Sequence, residues 1–160
     1  MSKPVELTRI TIVQNKPPHR QAFIGHFPEA YNYGVHSGVQ QFYGIKPETE
    51  YPSTLDHIVA AAGGWLTGTL AGALAARKIS PYPDKLKTEI VGTIEAPEGI
   101  LKITKIHCHY QLKIPKGKRE AAERALNSFE RGCPAAQTLK GCIEFIHSWE
   151  IAEYDVNTES

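Results

Sequence analysis

What this chain of 160 residues has least of is net charge: 18 Lys and Arg stand against 17 Asp and Glu, which leaves +1 at neutral pH. So balanced a surface has no field to draw in a nucleic acid or an anionic membrane, and no basic cluster interleaves with aromatic residues, so neither is expected as a partner. Cysteine is scarce and odd in number, confined to Cys108, Cys133 and Cys142. That count argues against a disulfide framework. The opening "MSKPVELTRITIVQ" has no apolar core of the kind a secretory leader needs, so a reducing, cytoplasmic setting is expected. There is no C-x-x-C or H-E-x-x-H pair and no glycine-rich phosphate loop at a strand-to-helix turn. No metal and no cofactor is therefore expected.

What the chain does have is one long, smooth stretch. "IVAAAGGWLTGTLAGALAA", residues 58–76, runs for 19 residues without a formal charge and carries one large side chain, Trp65. Its length would just span a bilayer core of roughly 30 Å. Its content of Ala, Gly and Thr, with strand patterns on both sides, fits the buried helix of a soluble domain better. Ser53 or Thr54 supplies an N-cap hydroxyl, and Asp56 sets a carboxylate in the first turn, where the helix dipole favours it. Arg77 and Lys78 suit the other end, so a helix is predicted over 54–77. Ala60, Gly64, Gly68, Gly72 and Ala76 recur every four positions and make a ridge that a second backbone can approach closely. That spacing predicts a central helix packed on more than one side.

Around it, residues 5–14 and 19–27 read as a hairpin broken by "NKPP", because proline supplies no ladder donor. Residues 28–52 are dense in Gly, Pro and Tyr and read as loop, with short extended pieces such as 39–43. Residues 86–95 and 101–114 alternate as strands about a turn at 96–99. Residues 119–131 carry apolar positions at helical spacing, with Gly132 to end the helix. Residues 133–141 form a short helix with Pro134 at its first position, and 142–151 a last strand. Hairpins and helices that segregate in this way indicate one α+β domain over 1–160 with mostly antiparallel sheet.

Cys133 is the leading chemical candidate, since a cysteine at a helix start faces free N–H groups that favour thiolate. The competing reading is a small buried cap. Cys108 lies on the apolar face of its strand and reads as inert core; Cys142 could meet Cys133 across the short helix. His107 and His109 share a polar strand face, but two imidazoles do not complete a metal site. His57 reads as a surface or interface residue.

Two motifs resemble those of the OsmC/Ohr family of osmotically inducible and organic hydroperoxide resistance proteins: "AAAGGWLTGTL" and "CPAAQTLKG", followed at family spacing by "IEFIHSWEI". The resemblance runs over roughly residues 51–154 and marks a divergent member. It implies the OsmC-like fold, with a long central helix and a second helix packed on antiparallel sheets in an intertwined homodimer with sites at the interface. It also implies thiol peroxidase chemistry, in which a cysteine on the central helix attacks the peroxide and the cysteine of the Cys-Pro motif resolves the sulfenic acid. Cys133 matches the resolving cysteine. The attacking position, directly after Gly64, is Trp65, and an indole cannot become a thiolate. Arg20 is the likeness of the family's thiolate-supporting arginine, with Arg9 second, and Glu50 or Asp56 is the possible acidic partner. Three functions follow: a non-peroxidase member binding an apolar or electrophilic small molecule, a one-cysteine hydroperoxide reductase acting through Cys133, and a structural paralogue whose pocket Trp65 fills.

Overall fold

The structure is a computed structural model that describes residues 2–158. It divides into two compact units, Met1–His57 and Ile58–Ser160. The first holds a three-stranded antiparallel sheet of β1 (Ile10–Gln14), β2 (Arg20–Ile24) and β3 (Tyr31–Tyr33), in the order β1-β2-β3. The hairpin expected from "NKPP" is present, with Ile10 opposite Ile24 and Gln14 opposite Arg20. β1 begins at Ile10 rather than at residue 5, and all five of its residues are exposed.

Residues expected to be extended at 39–43 instead belong to helix α1 (Ser37–Tyr43), which ends on Gly44 in the left-handed region at φ 63°. Glycine takes that conformation without the Cβ clash other residues meet. The glycine that suggested loop is therefore a helix stop.

Helix α2 (Thr54–Ala75) starts in the first unit and runs into the second. Ser53 is its N-cap: the Ser53 hydroxyl accepts from the Asp56 N–H at 3.2 Å, and the Asp56 carboxylate accepts from the Ser53 N–H at 2.6 Å. This reciprocal pairing satisfies two otherwise orphaned donors. At the other end Lys78 adopts φ 58°, and the N–H groups of Ile79 and Lys78 donate to Leu74 and Ala75. Ile79 and Leu74, which this closure brings together, are both fully buried.

The second unit is built on β4 (Leu86–Glu95), β5 (Lys102–Pro115) and β6 (Glu144–Tyr154), in the order β4-β5-β6. β4 and β5 pair antiparallel, as their short connection requires. β6 lies parallel to β5, so this sheet is mixed. Helix α3 (Arg119–Ser128), a 3-10 turn over Phe129–Gly132 and helix α4 (Pro134–Leu139) make the crossover that returns the chain in the same direction. The α+β class holds, and with it the long helix and the second helix on sheet.

α2 buries Ala62, Gly63, Leu66, Leu70 and Leu74, and it meets β4 at Val59, Gly63 and Thr67. The close approach occurs at glycines other than those of the four-residue ridge. A Cβ built on Gly63 would fall 1.8 Å from Ile90 Cδ1, and one on Gly92 would fall 2.5 Å from Val59 Cγ2. Thr67 Oγ1 donates to Thr88 Oγ1 at 2.9 Å beside them. At Gly64, Gly68 and Gly72 an added Cβ meets nothing within 4 Å among the described residues. The ridge thus stands open, and α2 is long and apolar enough to cross a membrane by length and composition. Gly63→Ala should lower stability by about 1–2 kcal/mol in urea unfolding, because overpacking against Ile90 outweighs the better helix propensity of alanine.

Candidate functional site

Trp65 follows from the arrangement of α2. Leu66, one residue on, is fully buried, and the next residue around the helix from the packed stripe turns outward. Trp65 is accordingly 57% exposed and stands with Ile58, Ala61, Gly64, Gly68 and Gly72 on a face without charge. It does not fill the core of this chain.

Cys133 ends the 3-10 turn and caps α4, with Pro134 at the first helical position as the sequence indicated. Its carbonyl accepts from the Gln137 N–H at 2.9 Å, and its side chain makes no cap bond. The thiol is fully buried, as is that of Cys108 on β5. Cys142 is exposed just before β6, and all three cysteines are free.

The thiols share their surroundings with three side chains that sequence reasoning passed over. The Tyr110 hydroxyl lies 3.1 Å from His147 Nδ1, and His147 Nε2 lies 2.6 Å from Glu130 Oε2. An ionised carboxylate can only accept, so the neutral imidazole carries its proton on Nε2 and leaves Nδ1 to accept from the Tyr110 hydroxyl. Phe129 closes over this chain with its ring 5.5 Å from Tyr110 and 5.3 Å from His147. Burial pushes the Cys108 thiol up from its ordinary value; contact with the Tyr110 hydroxyl works against that, while the charges of Cys133 and Glu130 add to it. Burial, first of all, also drives the Tyr110 phenol well up, with Cys108, Cys133 and Glu130 contributing. Both groups stay protonated at neutral pH. One trace of this chain was available in the sequence: Tyr110 shares strand parity with Cys108, and a phenol buried on an apolar face needs a partner.

In the first unit Arg20 opens β2 opposite Tyr33 and Gln14 and is half-buried. Arg9 is exposed, and its carbonyl accepts from the Gly25 N–H. Glu50 is exposed. Asp56 is engaged locally: Oδ2 accepts from His36 Nε2 at 2.7 Å and from the Ser53 hydroxyl at 2.7 Å, besides the Ser53 N–H. Partial burial disfavours its charge, but hydrogen bonds from His36 and Ser53 outweigh this and hold the carboxyl below its ordinary value. His57, expected at the surface or at an interface, is half-buried and packs edge-on against Tyr33 at 4.6 Å. On the outer face of the second sheet, His107 Nε2 and His109 Nδ1 meet on the Ser148 hydroxyl at 2.7 and 2.8 Å.

A sequence profile of the OsmC-like protein family matches residues 47–148, a span that holds Trp65, Cys108, Tyr110, Glu130, Cys133 and His147. No curated protein sequence matches the chain significantly. Among solved structures, an OsmC-like protein from Mycoplasma pneumoniae superposes with a TM-score of 0.72 at 14% identity, covering 93% of this chain and 99% of that one. An OsmC-like protein of unknown function from Vibrio cholerae gives 0.74 at 10% identity, over 91% and 100%. The organic hydroperoxide resistance protein OhrB of Bacillus subtilis gives 0.63 at 12% identity, over 92% and 100%. At these identities the likeness is one of fold.

The state of Asp56 sets a pH dependence. A carboxyl held low in the folded state stabilises it above the unfolded-state pKa, about 4, and that contribution is lost as pH falls through the folded-state value. Urea unfolding followed from about pH 7 to about pH 2 should show stability falling below about pH 4. Asp56→Asn should flatten that fall and lower stability at neutral pH.

Proposed function

Since this chain belongs to the OsmC-like protein family, we propose that it acts as a homodimeric, small-molecule-binding member in which Trp65 takes the place of the attacking cysteine. The observation that carries this reading is the open face of α2, where a half-exposed indole stands among glycines with no charged neighbour. An apolar helix face of this length left in water is unfavourable, at roughly 25 cal/mol for each Å² of apolar surface. A second copy covers it best, since bare glycine backbone accepts another helix closely and a self-complementary face suits twofold pairing. The apolar edge strand β1, with Ile10, Ile12 and Val13 exposed, offers a second such surface. Lipid is a poorer occupant, because one side of α2 is already committed to β4. Indole walls beside small residues leave room for an apolar ligand, and Gly64 keeps the approach to Trp65 clear. Three free thiols suit a reducing, cytoplasmic setting.

The chain should sediment as a dimer at micromolar concentration and enhance the fluorescence of anilinonaphthalene sulfonate. Trp65→Ala should lose most of that enhancement while keeping the fold, and Trp65→Glu should sediment as a monomer. A wild-type monomer that leaves the dye dark would remove this reading.

One observation favours a second reading, a one-cysteine hydroperoxide reductase acting in oxidative stress defence through Cys133. The Tyr110–His147–Glu130 chain supplies acid–base groups beside the buried thiols. This reading predicts that the protein consumes cumene hydroperoxide with dithiothreitol as reductant and that Cys133→Ser abolishes turnover. Consumption unchanged by that substitution would exclude it.

A further inference from the structure

α2 and the 3-10 turn before α4 lie against one face of the second sheet. α2 meets Thr88, Ile90 and Gly92, and the turn meets Tyr110 and His147. Side chains of the opposite parity point away from both. That outer face is open: Val91 is 62% exposed, and Lys87, Glu89 and Glu150 are exposed beside it. In its middle, Glu89, His109 and Ser148 form one row across the three strands, and His107 stands two residues before His109 on the same side.

His107 Nε2 and His109 Nδ1 lie 2.7 and 2.8 Å from the one Ser148 hydroxyl. A hydroxyl has a single proton to give, so one imidazole accepts it and the other donates an N–H to the same oxygen. Two ring nitrogens from one strand are thus aimed at a single point. Glu89 is held elsewhere: its Oε1 accepts from Lys87 Nζ at 3.0 Å along β4. Both side chains are more than half exposed, and water screens such a pair so well that little is lost when it parts. Glu89 and His109 are direct cross-strand partners, and Cβ atoms in such pairs stand about 4.5–5.5 Å apart. A glutamate turned from Lys87 towards the imidazoles spans that gap.

We infer that His107, His109 and Glu89 form a binding site for a divalent first-row transition ion of the zinc class. Two imidazoles alone fall short of such a site. The neighbouring strand supplies the third donor, and two neutral nitrogens with one carboxylate leave an open position for water. Imidazole bonds to zinc are about 2.0–2.1 Å, so nitrogens that already share one oxygen need close in only slightly to share the ion. Each ring ligates in its neutral form through the nitrogen that now faces Ser148 and keeps its proton on the other. The carboxylate offsets part of the ion's charge, and the Ser148 hydroxyl is left to hydrogen-bond the bound water. Lys87 and the ion compete for the same carboxylate. The site lies on the far side of the sheet from α2 and the buried thiols and does not depend on what Trp65 or Cys133 does.

The test uses the full chain in a Cys142→Ser background, which removes the exposed thiol as a competing ligand. Titration calorimetry with Zn2+ should find one ion per chain held by this face. Loss of a group outside the ligand shell already weakens metal sites about 10–100-fold, so His107→Gln and His109→Gln, which remove ligands, should each weaken binding by more than about tenfold. Glu89→Gln should weaken it as well. Lys87→Ala should tighten it, and adding Glu89→Gln to Lys87→Ala should cancel that gain, a response that a fortuitous pair of histidines does not give. The electron paramagnetic resonance spectrum of the Cu2+-loaded parent should show two coordinated nitrogens, a readout that needs no variant to fold. No ion bound, an ion retained by the double variant His107→Gln, His109→Gln, or an affinity indifferent to Glu89 would each overturn the proposal.

Discussion

Helix α2 can sit on β4 only because neither Gly63 nor Gly92 carries a side chain. A methyl group at either position would fall inside the van der Waals shell of Ile90 or Val59. That contact fixes the helix height on the sheet and brings Thr67 within hydrogen-bonding reach of Thr88. It also fixes the helix rotation. With Leu66, Leu70 and Leu74 turned into the core, Trp65 and the glycine ridge must point the other way. The open face is thus a consequence of the packed one, since a helix offers only so many directions to its side chains.

The buried polar chain depends on a different constraint, the parallel return of β6. An antiparallel β6 would bring a different run of residues opposite β5; the helical crossover instead sets His147 beside Cys108 and within reach of Tyr110. The same crossover carries Glu130 and Cys133, so one segment supplies both the terminal carboxylate and the second thiol. Tyr110, His147 and Glu130 then each have a partner, as a low-dielectric interior demands of polar groups.

Much of the fold could be read from local pattern. Period-two alternation located β4 and β5, a Ser53 or Thr54 cap with Asp56 in the first turn placed the start of α2, and Pro134 placed that of α4. Local reading failed at two places, for different reasons. Residues 39–43 coil because Gly44 closes a helix, although their composition suggested an extended piece. The close-packed glycine is Gly63, which no periodicity singled out, because the choice between helix faces belongs to Ile90 and Gly92 on β4. Of the candidate site, the burial of Cys108 was legible from strand parity. Asp56 was legible as a first-turn carboxylate but not as the partner of His36, 20 residues away.

By itself the sequence determined most element types, the α+β class, the family likeness and the oddity of an indole directly after Gly64, because propensity, caps and motifs act over a few residues. Only the tertiary structure decided that Trp65 faces outward, that β6 runs parallel, and that Tyr110, His147 and Glu130 form one hydrogen-bonded chain. Those outcomes depend on which distant side chains compete for the same space, and no short window of sequence contains both competitors.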